Sequence, residues 1–331
     1  MNIKRIGLTA LAGSLVAVSA FAGELSLSGG AKLSYTTKGG NMAADHNVAS
    51  SMAMDQEITA KGSAELDNGF IVSVTHGLAT GGSGSDSSTL ALDMGDLGTI
   101  TYDDTDGHGG LAGLEDKMPL AYEQANDGLG TTAVPAVMAK MPSGQGFGYS
   151  TTLGGAAISI GYSDGIAAKT NRSDGSQDTT VKSANTSSSI AVTYDFESLG
   201  LTVFGGTGQE GQTDGKQLDH TTMGVIYAYG PVKVGYQVND EDDSDSASAT
   251  TDLETEIMSI AFVVNDNLSI SYGEHNSDVA GSEIDQEIES IQASYSMGGM
   301  TFNIKDSEVT GLANTANQNH DTTEIMLQFA F

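Results

Sequence analysis

Apolar and polar residues alternate along most of this chain, and the last ten residues show the pattern most clearly. In residues 322–331, TTEIMLQFAF, the apolar side chains of Ile325, Leu327 and Phe329 alternate with mainly polar ones, and the chain stops on the aromatic Phe331. A period of two predicts a β-strand with one apolar face and one mostly polar face. A tilted strand of about ten residues is also long enough to cross a lipid bilayer.

The same alternation recurs along the chain and predicts sixteen strands in eight pairs. Short turns such as Asp67-Asn68-Gly69 join the two members of a pair, and long polar segments join one pair to the next. This asymmetry, with an even number of antiparallel strands, is the pattern of a transmembrane β-barrel. A soluble β-sandwich, the competing fold, needs a thick dry core that these half-polar strands do not supply. We therefore predict an all-β fold, a 16-stranded antiparallel transmembrane β-barrel.

Aromatic residues at the strand ends support the membrane interpretation. One set lies towards the long loops and a second set towards the short turns, so that the two sets bracket an aliphatic band. Belts of this kind are typical of the two membrane interfaces. The residues towards the long loops are Tyr35, Tyr102, Tyr162, Tyr236 and Tyr272, and those towards the short turns are Phe70, Tyr194, Tyr229, Tyr295 and Phe302.

The first residues predict export from the cytoplasm. Lys4 and Arg5 precede a short apolar run, and Ala20-Phe21-Ala22 is a cleavage site of the A-x-A type. This arrangement is that of a secretory signal peptide. We predict that residues 1–22 are removed and that residues 23–331 form the barrel.

Composition narrows the functional classes. The chain has no cysteine and a formal net charge of −30, which excludes disulfides and thiolate metal sites and argues against nucleic acid as a partner. No serine and histidine stand out as a nucleophile with its base, so the chain is not predicted to be an enzyme. The six histidines lack metal-ligand spacing and are interpreted as surface residues.

The alternation also predicts a hydrated interior. A barrel of about sixteen strands is wide enough for an aqueous channel, and one linker, Asp103–Gln145, is much longer than the others. It contains apolar residues such as Leu111, Leu114 and Met118, so we expect it to pack on the barrel and to be functional, with disorder as the weaker alternative. The polar residues predicted to face the lumen are Ser26, Ser28, Lys32, Ser34, Glu57, Thr59, Lys61, Ser159, Lys233 and Lys305.

Taken together, the signal peptide, the sixteen strands, the long third loop and the terminal Phe331 resemble the general-diffusion porins of Gram-negative bacteria. The run Met94–Tyr102, MGDLGTITY, is similar to the stretch that precedes the third loop of those porins. The resemblance implies passive diffusion of ions and small hydrophilic solutes across the cell outer membrane, without a cofactor. It also implies a homotrimer, contact with outer-membrane lipids and lipopolysaccharide, and recognition of the closing strand by the barrel-assembly machinery.

The resemblance further implies that the third loop folds into the lumen as a constriction, with acids on the loop facing bases on the wall. Few arginines are present, and Arg172, in a loop, is the single one after the signal peptide. We therefore predict cation preference, because rings of carboxylates favour the entry of cations. The alternative is that the acids are a solvated loop. The corresponding loop acids are Asp103, Asp104, Asp106, Glu115 and Asp116, and the wall bases are Lys32 and Lys61.

The acidic loops leave two further questions open. The run Asp240–Asp245 lacks the full pattern of a calcium loop, so a solvated loop is favoured over loose binding of Ca²⁺ or Mg²⁺. The alternative function is that of an adhesin or a structural barrel that acts through its acidic loops. The loops lack the tyrosine, tryptophan and arginine anchors that carry binding energy at interfaces, so the diffusion pore is preferred.

Overall fold

A computed structural model describes residues 23–41, 50–79, 87–103, 109–115, 117–129, 146–163, 186–211, 217–243 and 252–331. The predicted signal peptide, residues 1–22, lies outside this part of the chain. Within it, no helix has both the length and the apolar character needed to cross a membrane.

Sixteen strands form one closed barrel in which each strand pairs antiparallel with its sequence neighbours and β1 pairs with β16. The predicted fold and strand number are therefore confirmed. The strands are β1 (Glu24–Gly40), β2 (Ser51–Glu65), β3 (Ile71–Ala79), β4 (Ser87–Asp93), β5 (Thr99–Asp103), β6 (Gly146–Leu153), β7 (Ala156–Ser163), β8 (Ser187–Phe196), β9 (Leu201–Gly211), β10 (Gln217–Tyr229), β11 (Val232–Asp242), β12 (Leu253–Asn265), β13 (Leu268–Val279), β14 (Gln286–Met297), β15 (Met300–Thr310) and β16 (His320–Ala330).

The two faces of each strand differ as the alternation predicts. On β2, Met52, Met54 and Ile58 are exposed on the outer surface, and Glu57 and Lys61 lie on the opposite face. Large apolar side chains on the outside of a barrel are stable when lipid surrounds them.

Inside the barrel, two clusters of buried apolar residues replace a conventional core. The first consists of Leu111, Leu114, Met118, Ala191, Phe204 and Ile257, and the second of Ala125, Leu129, Ile288, Val309 and Leu312.

The barrel closes through the last residue of the chain. Gly29 donates its N–H to a carboxylate oxygen of Phe331 over 2.8 Å, and Phe331 donates its N–H to the carbonyl of Gly29 over 2.9 Å. The ring of Phe331 lies over Gly29, so that a Cβ at position 29 would stand 2.6 Å from Cε2 of the ring. Glycine at this position therefore permits Gly29 and Phe331 to form the last residue pair that closes the barrel.

We expect Gly29→Val to weaken this closure, because the added side chain collides with Phe331 and with the carbonyl of Glu57. Overpacking of this kind costs about 1–3 kcal/mol. The temperature at which the purified protein changes from folded to unfolded mobility in a detergent gel should fall. Gly62→Val is the matched control, because a Cβ at position 62 meets nothing within 4 Å. Equal transition temperatures for the two variants would contradict the expected clash.

Candidate pore constriction

The long linker between β5 and β6, residues 104–145, is called loop L3 below. Its described residues are 109–115, which include a short 3-10 helix (Gly110–Leu114), and 117–129. These two described stretches are called the first half and the second half of loop L3. The helix contacts β7, β8 and β9, and the following residues reach β16 through the hydrogen bonds described below. The described part of loop L3 thus lies inside the barrel along the inner wall from β7 to β16, as predicted.

Apolar packing holds the first half of loop L3 against the barrel wall. Leu111 is completely buried, and its neighbours include Ala191 on β8 and Phe204 on β9. Gly206 on β9 makes room for it, since a Cβ there would stand 2.8 Å from Cδ2 of Leu111. The contact therefore depends on a small residue in the wall as well as on the leucine in the loop.

Hydroxyl groups of the wall accept hydrogen bonds from backbone N–H groups of loop L3. Ser159 Oγ on β7 accepts from Gly110 over 2.8 Å, and Ser189 Oγ on β8 accepts from Leu111 over 3.1 Å. On β13, Ser271 Oγ accepts from Ala121 over 2.8 Å. Buried backbone donors need such partners, so these serines fix where the loop can lie.

Gln292 on β14 holds the centre of the second half. Its Oε1 accepts from the N–H groups of Tyr122, over 3.1 Å, and Glu123, over 3.2 Å. Its Nε2 donates to the carbonyl of Glu123 over 2.7 Å. One buried amide therefore satisfies three backbone groups of the loop, in the way that a neighbouring strand would.

Two further wall residues hold the turn that follows. Lys305 on β15 donates from Nζ to the carbonyls of Gln124, over 2.7 Å, and Asp127, over 2.6 Å. His320 Nε2 on β16 lies 2.8 Å from the carbonyl of Leu129 and serves as its donor. The wall therefore contacts loop L3 from β7 to β16 with residues of several chemical types.

Carboxylates converge at the end of this segment. Glu123 Oε1 and Glu324 Oε2 would each stand 2.5 Å from a Cβ at Gly128, so the bare glycine leaves the space that they share. Tyr122 donates its hydroxyl to Glu324 Oε1 over 3.3 Å. Lys305 Nζ forms an ion pair with Glu123 Oε1 at 3.0 Å.

The hydroxyl of Tyr122 remains protonated in this setting. Burial, together with the charges of Glu123 and Glu324, raises the pKa of Tyr122 far above its usual range. The phenol therefore acts as a neutral donor to the Glu324 carboxylate, and loop L3 presents carboxylates at this end without a phenolate beside them.

The predicted loop acids have different locations. Asp103 is the last residue of β5, is 2% exposed and accepts a hydrogen bond at Oδ2 from Thr89 Oγ1 over 2.8 Å. The loop therefore begins one residue later than predicted, because the pairing of β4 with β5 extends to Asp103. Glu115 is half-buried beside the 3-10 helix. The remaining predicted loop acids, Asp104, Asp106 and Asp116, lie outside the described residues.

The predicted wall bases lie on the face of β1 and β2 that points into the lumen. Lys32 stands directly opposite Asp55 in the register, and Glu57 stands opposite Gly30. Lys61 follows two positions beyond Thr59 on the same face. The bases thus alternate with carboxylates, and this part of the wall is mixed in charge.

Three histidines correct the prediction that all six are surface residues. His220, His275 and His320 are almost completely buried. Each lies on the inward face near the long-loop end of its strand, and His320 contacts the carbonyl of Leu129 in loop L3. Face and height on the wall together decide exposure, and the sequence pattern predicts only the face.

The part of the chain that the structure describes contains no group of three or more histidine, aspartate or glutamate residues arranged to hold a metal ion. Of the run Asp240–Asp245 considered for loose Ca²⁺ or Mg²⁺ binding, residues 240–243 are described and residues 244–245 lie outside that part. Such binding stays a prediction.

Comparisons with solved structures support the fold. An anion-selective porin from Comamonas acidovorans has a TM-score of 0.67 and 13% identity, with 93% of this chain and 99% of that chain covered. OmpF of Salmonella typhi, in complex with daunomycin, has a TM-score of 0.67 and 12% identity, with coverage of 94% and 99%. A mutant of the Rh. blastica porin has a TM-score of 0.63 and 14% identity, with coverage of 93% and 100%. The search of curated proteins found no significant match.

The sequence itself carries the family signal. The profile of the family described as Gram-negative porin matches residues 7–301, which is most of the chain. The closed barrel of sixteen strands and the inward third loop of this protein agree with that match. The protein therefore belongs to the Gram-negative porins, which are channel proteins of the outer membrane and not enzymes.

Proposed function

We propose that this porin conducts cations in preference to anions while it lets small hydrophilic solutes diffuse passively. The observation that supports the preference is the placement of loop L3. Because the described part of the loop covers the wall from β7 to β16, solutes pass between the loop and the opposite wall around β1 and β2.

The charges beside this passage favour cations. The inward face of β1 and β2, which the described part of loop L3 does not contact, is called the open wall. There, Lys32 and Lys61 are accompanied by Asp55 and Glu57, so the bases do not form an uninterrupted positive surface. Carboxylates beside a pore lower the free energy of an entering cation and raise that of an anion.

The loop side adds negative charge to the passage. Glu123 and Glu324 lie close together there, and one ammonium group, that of Lys305, pairs with Glu123. The predicted loop acid Glu115 lies in the same segment. Loop and wall together therefore give the passage a negative balance.

We further propose that the protein is a homotrimer. On the outer surface of β1–β4, small or polar residues interrupt the apolar band, including Gly29, Gln56 and the pair of His76 Nδ1 and Ser88 Oγ at 2.7 Å. Polar groups are costly in hydrocarbon, and a neighbouring subunit would cover them. In this proposal, lipids and lipopolysaccharide contact the remaining outer surface, and the assembly machinery recognises the closing strand.

Planar-bilayer recording of the purified protein under a KCl gradient tests the function. We expect a reversal potential on the cation side and conductance steps that close in groups of three. A reversal potential on the anion side would contradict the cation preference but leave the pore intact, and one structural relative is titled anion-selective. An absence of conductance would instead favour the adhesin or structural barrel.

A further inference from the structure

An almost completely enclosed charge on the inner wall belongs to a residue that the sequence placed in an open lumen. Lys305 is 2% exposed, although it lies on the face of β15 that points inward. Loop L3 covers it, and its ammonium group has three acceptors: Glu123 Oε1, the carbonyl of Gln124 and the carbonyl of Asp127.

This set of acceptors matches the chemistry of lysine. An ammonium group has three N–H donors, and a buried one is stable only if these donors are paired. Two of the acceptors are backbone carbonyls on either side of the turn from Gln124 to Asp127, and that turn is also closed by a bond from the Asp127 N–H to the Gln124 carbonyl over 3.1 Å. Lys305 therefore binds the backbone of the turn, whatever side chains the turn carries.

The neighbouring strands extend the same attachment. Gln292 on β14 holds the backbone of Tyr122 and Glu123, and His320 on β16 holds the carbonyl of Leu129. Lys305 lies between these two anchors in the strand order. It also supplies the ionic contact of the group, through Glu123 at 3.0 Å.

We propose that Lys305 is the positioning residue that holds the second half of loop L3 against the wall and so fixes the width of the pore. The inference rests on the proposed pore function. Without the ammonium group, the carbonyls of Gln124 and Asp127 lose this donor, and the Gln124 carbonyl keeps the bond from the Asp127 N–H. Glu123 loses its counter-charge while it remains close to Glu324. Repulsion between the two carboxylates then moves the turn away from the wall and into the channel.

The test compares Lys305→Met with Lys233→Met in single-channel recordings. Lys233 lies on the inward face of β11, is exposed, and carries the same charge. Loss of either positive charge should move the reversal potential towards cations. Only Lys305→Met should increase the open-channel current noise, by about twofold or more, because a mobile segment then varies the pore width. Equal noise in the two variants would overturn the proposal.

A disulfide provides the rescue experiment. A Cβ at Gly273 on β13 would stand 3.6 Å from Cβ of Ala125 in loop L3, which is within the range for a disulfide. The chain has no other cysteine, and the end of the flexible Leu120 side chain must move aside. In Lys305→Met combined with Ala125→Cys and Gly273→Cys, oxidation should restore the low noise and reduction should remove it. Noise that persists after confirmed cross-linking would overturn the proposal.

Gly128→Ala keeps the proposal testable if Lys305→Met does not fold. Gly128 has φ +63, a backbone conformation that strains an alanine, and an added Cβ would also meet Glu123 Oε1 and Glu324 Oε2. We therefore expect this substitution to displace the same turn with Lys305 intact. We expect similar noise from this variant, and a quiet channel would count against the proposal. These readouts are separate from the sign of ion selectivity. An anion-side reversal potential therefore rejects the proposed cation preference without deciding the role of Lys305.

Discussion

Leu111→Ala should loosen the first half of loop L3 and lower the stability of the barrel by about 2–5 kcal/mol, the usual cost of emptying a fully buried leucine site. Leu111 is completely buried between the loop and the wall, and Gly206 has no side chain to fill the space that the substitution leaves. Single channels of the variant should show larger and noisier conductance steps, and its heat-induced change in gel mobility should occur at a lower temperature.

Leu199→Ala is the matched control for this prediction. Leu199 is 61% exposed, at the end of the short 3-10 helix that follows β8, so the same substitution removes little packing there. Its stability and conductance should remain close to those of the unmodified protein. If Leu111→Ala lost stability but kept the conductance of the parent, the first half of loop L3 would support the barrel without limiting the pore.

The strand pairs could be predicted because their signals are local. Alternation with a period of two determines which residues share a face, and short polar turns determine which strands are neighbours. At the turn Asn265-Asp266-Asn267 between β12 and β13, for example, Asn265 Oδ1 accepts the N–H groups of Asn267 and Leu268. Such contacts span two or three residues, so the residues that determine them are visible together in the sequence.

The anchoring of loop L3 depends on contacts between distant parts of the chain. Alternation predicts that Lys305 faces inward, but it does not predict that the turn after Gln124 covers it. The same limit applies to Tyr122 and Glu324, which alternation cannot bring together. One usable signal was present: Gln237, Gln292 and Lys305 are long polar side chains at inward positions, and the residues two positions away on the same face are glycine, serine or asparagine. Such residues have the reach to bind a segment inside the barrel.

For Asp103, the prediction was wrong because it placed a residue of the barrel wall in the loop. The sequence assigns it to the loop because an acidic run begins there, yet Thr89 on β4 pairs with it in the sheet and donates to its carboxylate. The apolar residues of the loop were more informative than its acids. Leu111, Leu114 and Met118 needed a partner surface, and that requirement predicted that the segment packs on the barrel. Its position in the lumen was implied by the resemblance to porins.

The largest change in ion selectivity is expected from the open wall, in the double variant Asp55→Asn and Glu57→Gln. It leaves Lys32 and Lys61 as the ionised residues at the centre of this face. A unit charge at roughly 10 Å in water is worth about 0.4 kcal/mol, and it acts with opposite sign on K⁺ and Cl⁻. After screening by salt, the two substitutions should lower the ratio of cation to anion permeability by about three- to tenfold.

The matched variant Lys32→Met and Lys61→Met removes the opposite charges from the same wall and should raise that ratio by a comparable factor. Both double variants leave the anchors of loop L3 intact, so their step sizes should stay near that of the parent while the reversal potentials move in opposite directions. If neither variant moved the reversal potential, the ions would pass beyond the reach of this wall. The charge that selects them would then belong to loop L3, where Glu123 and Glu324 converge beside Gly128.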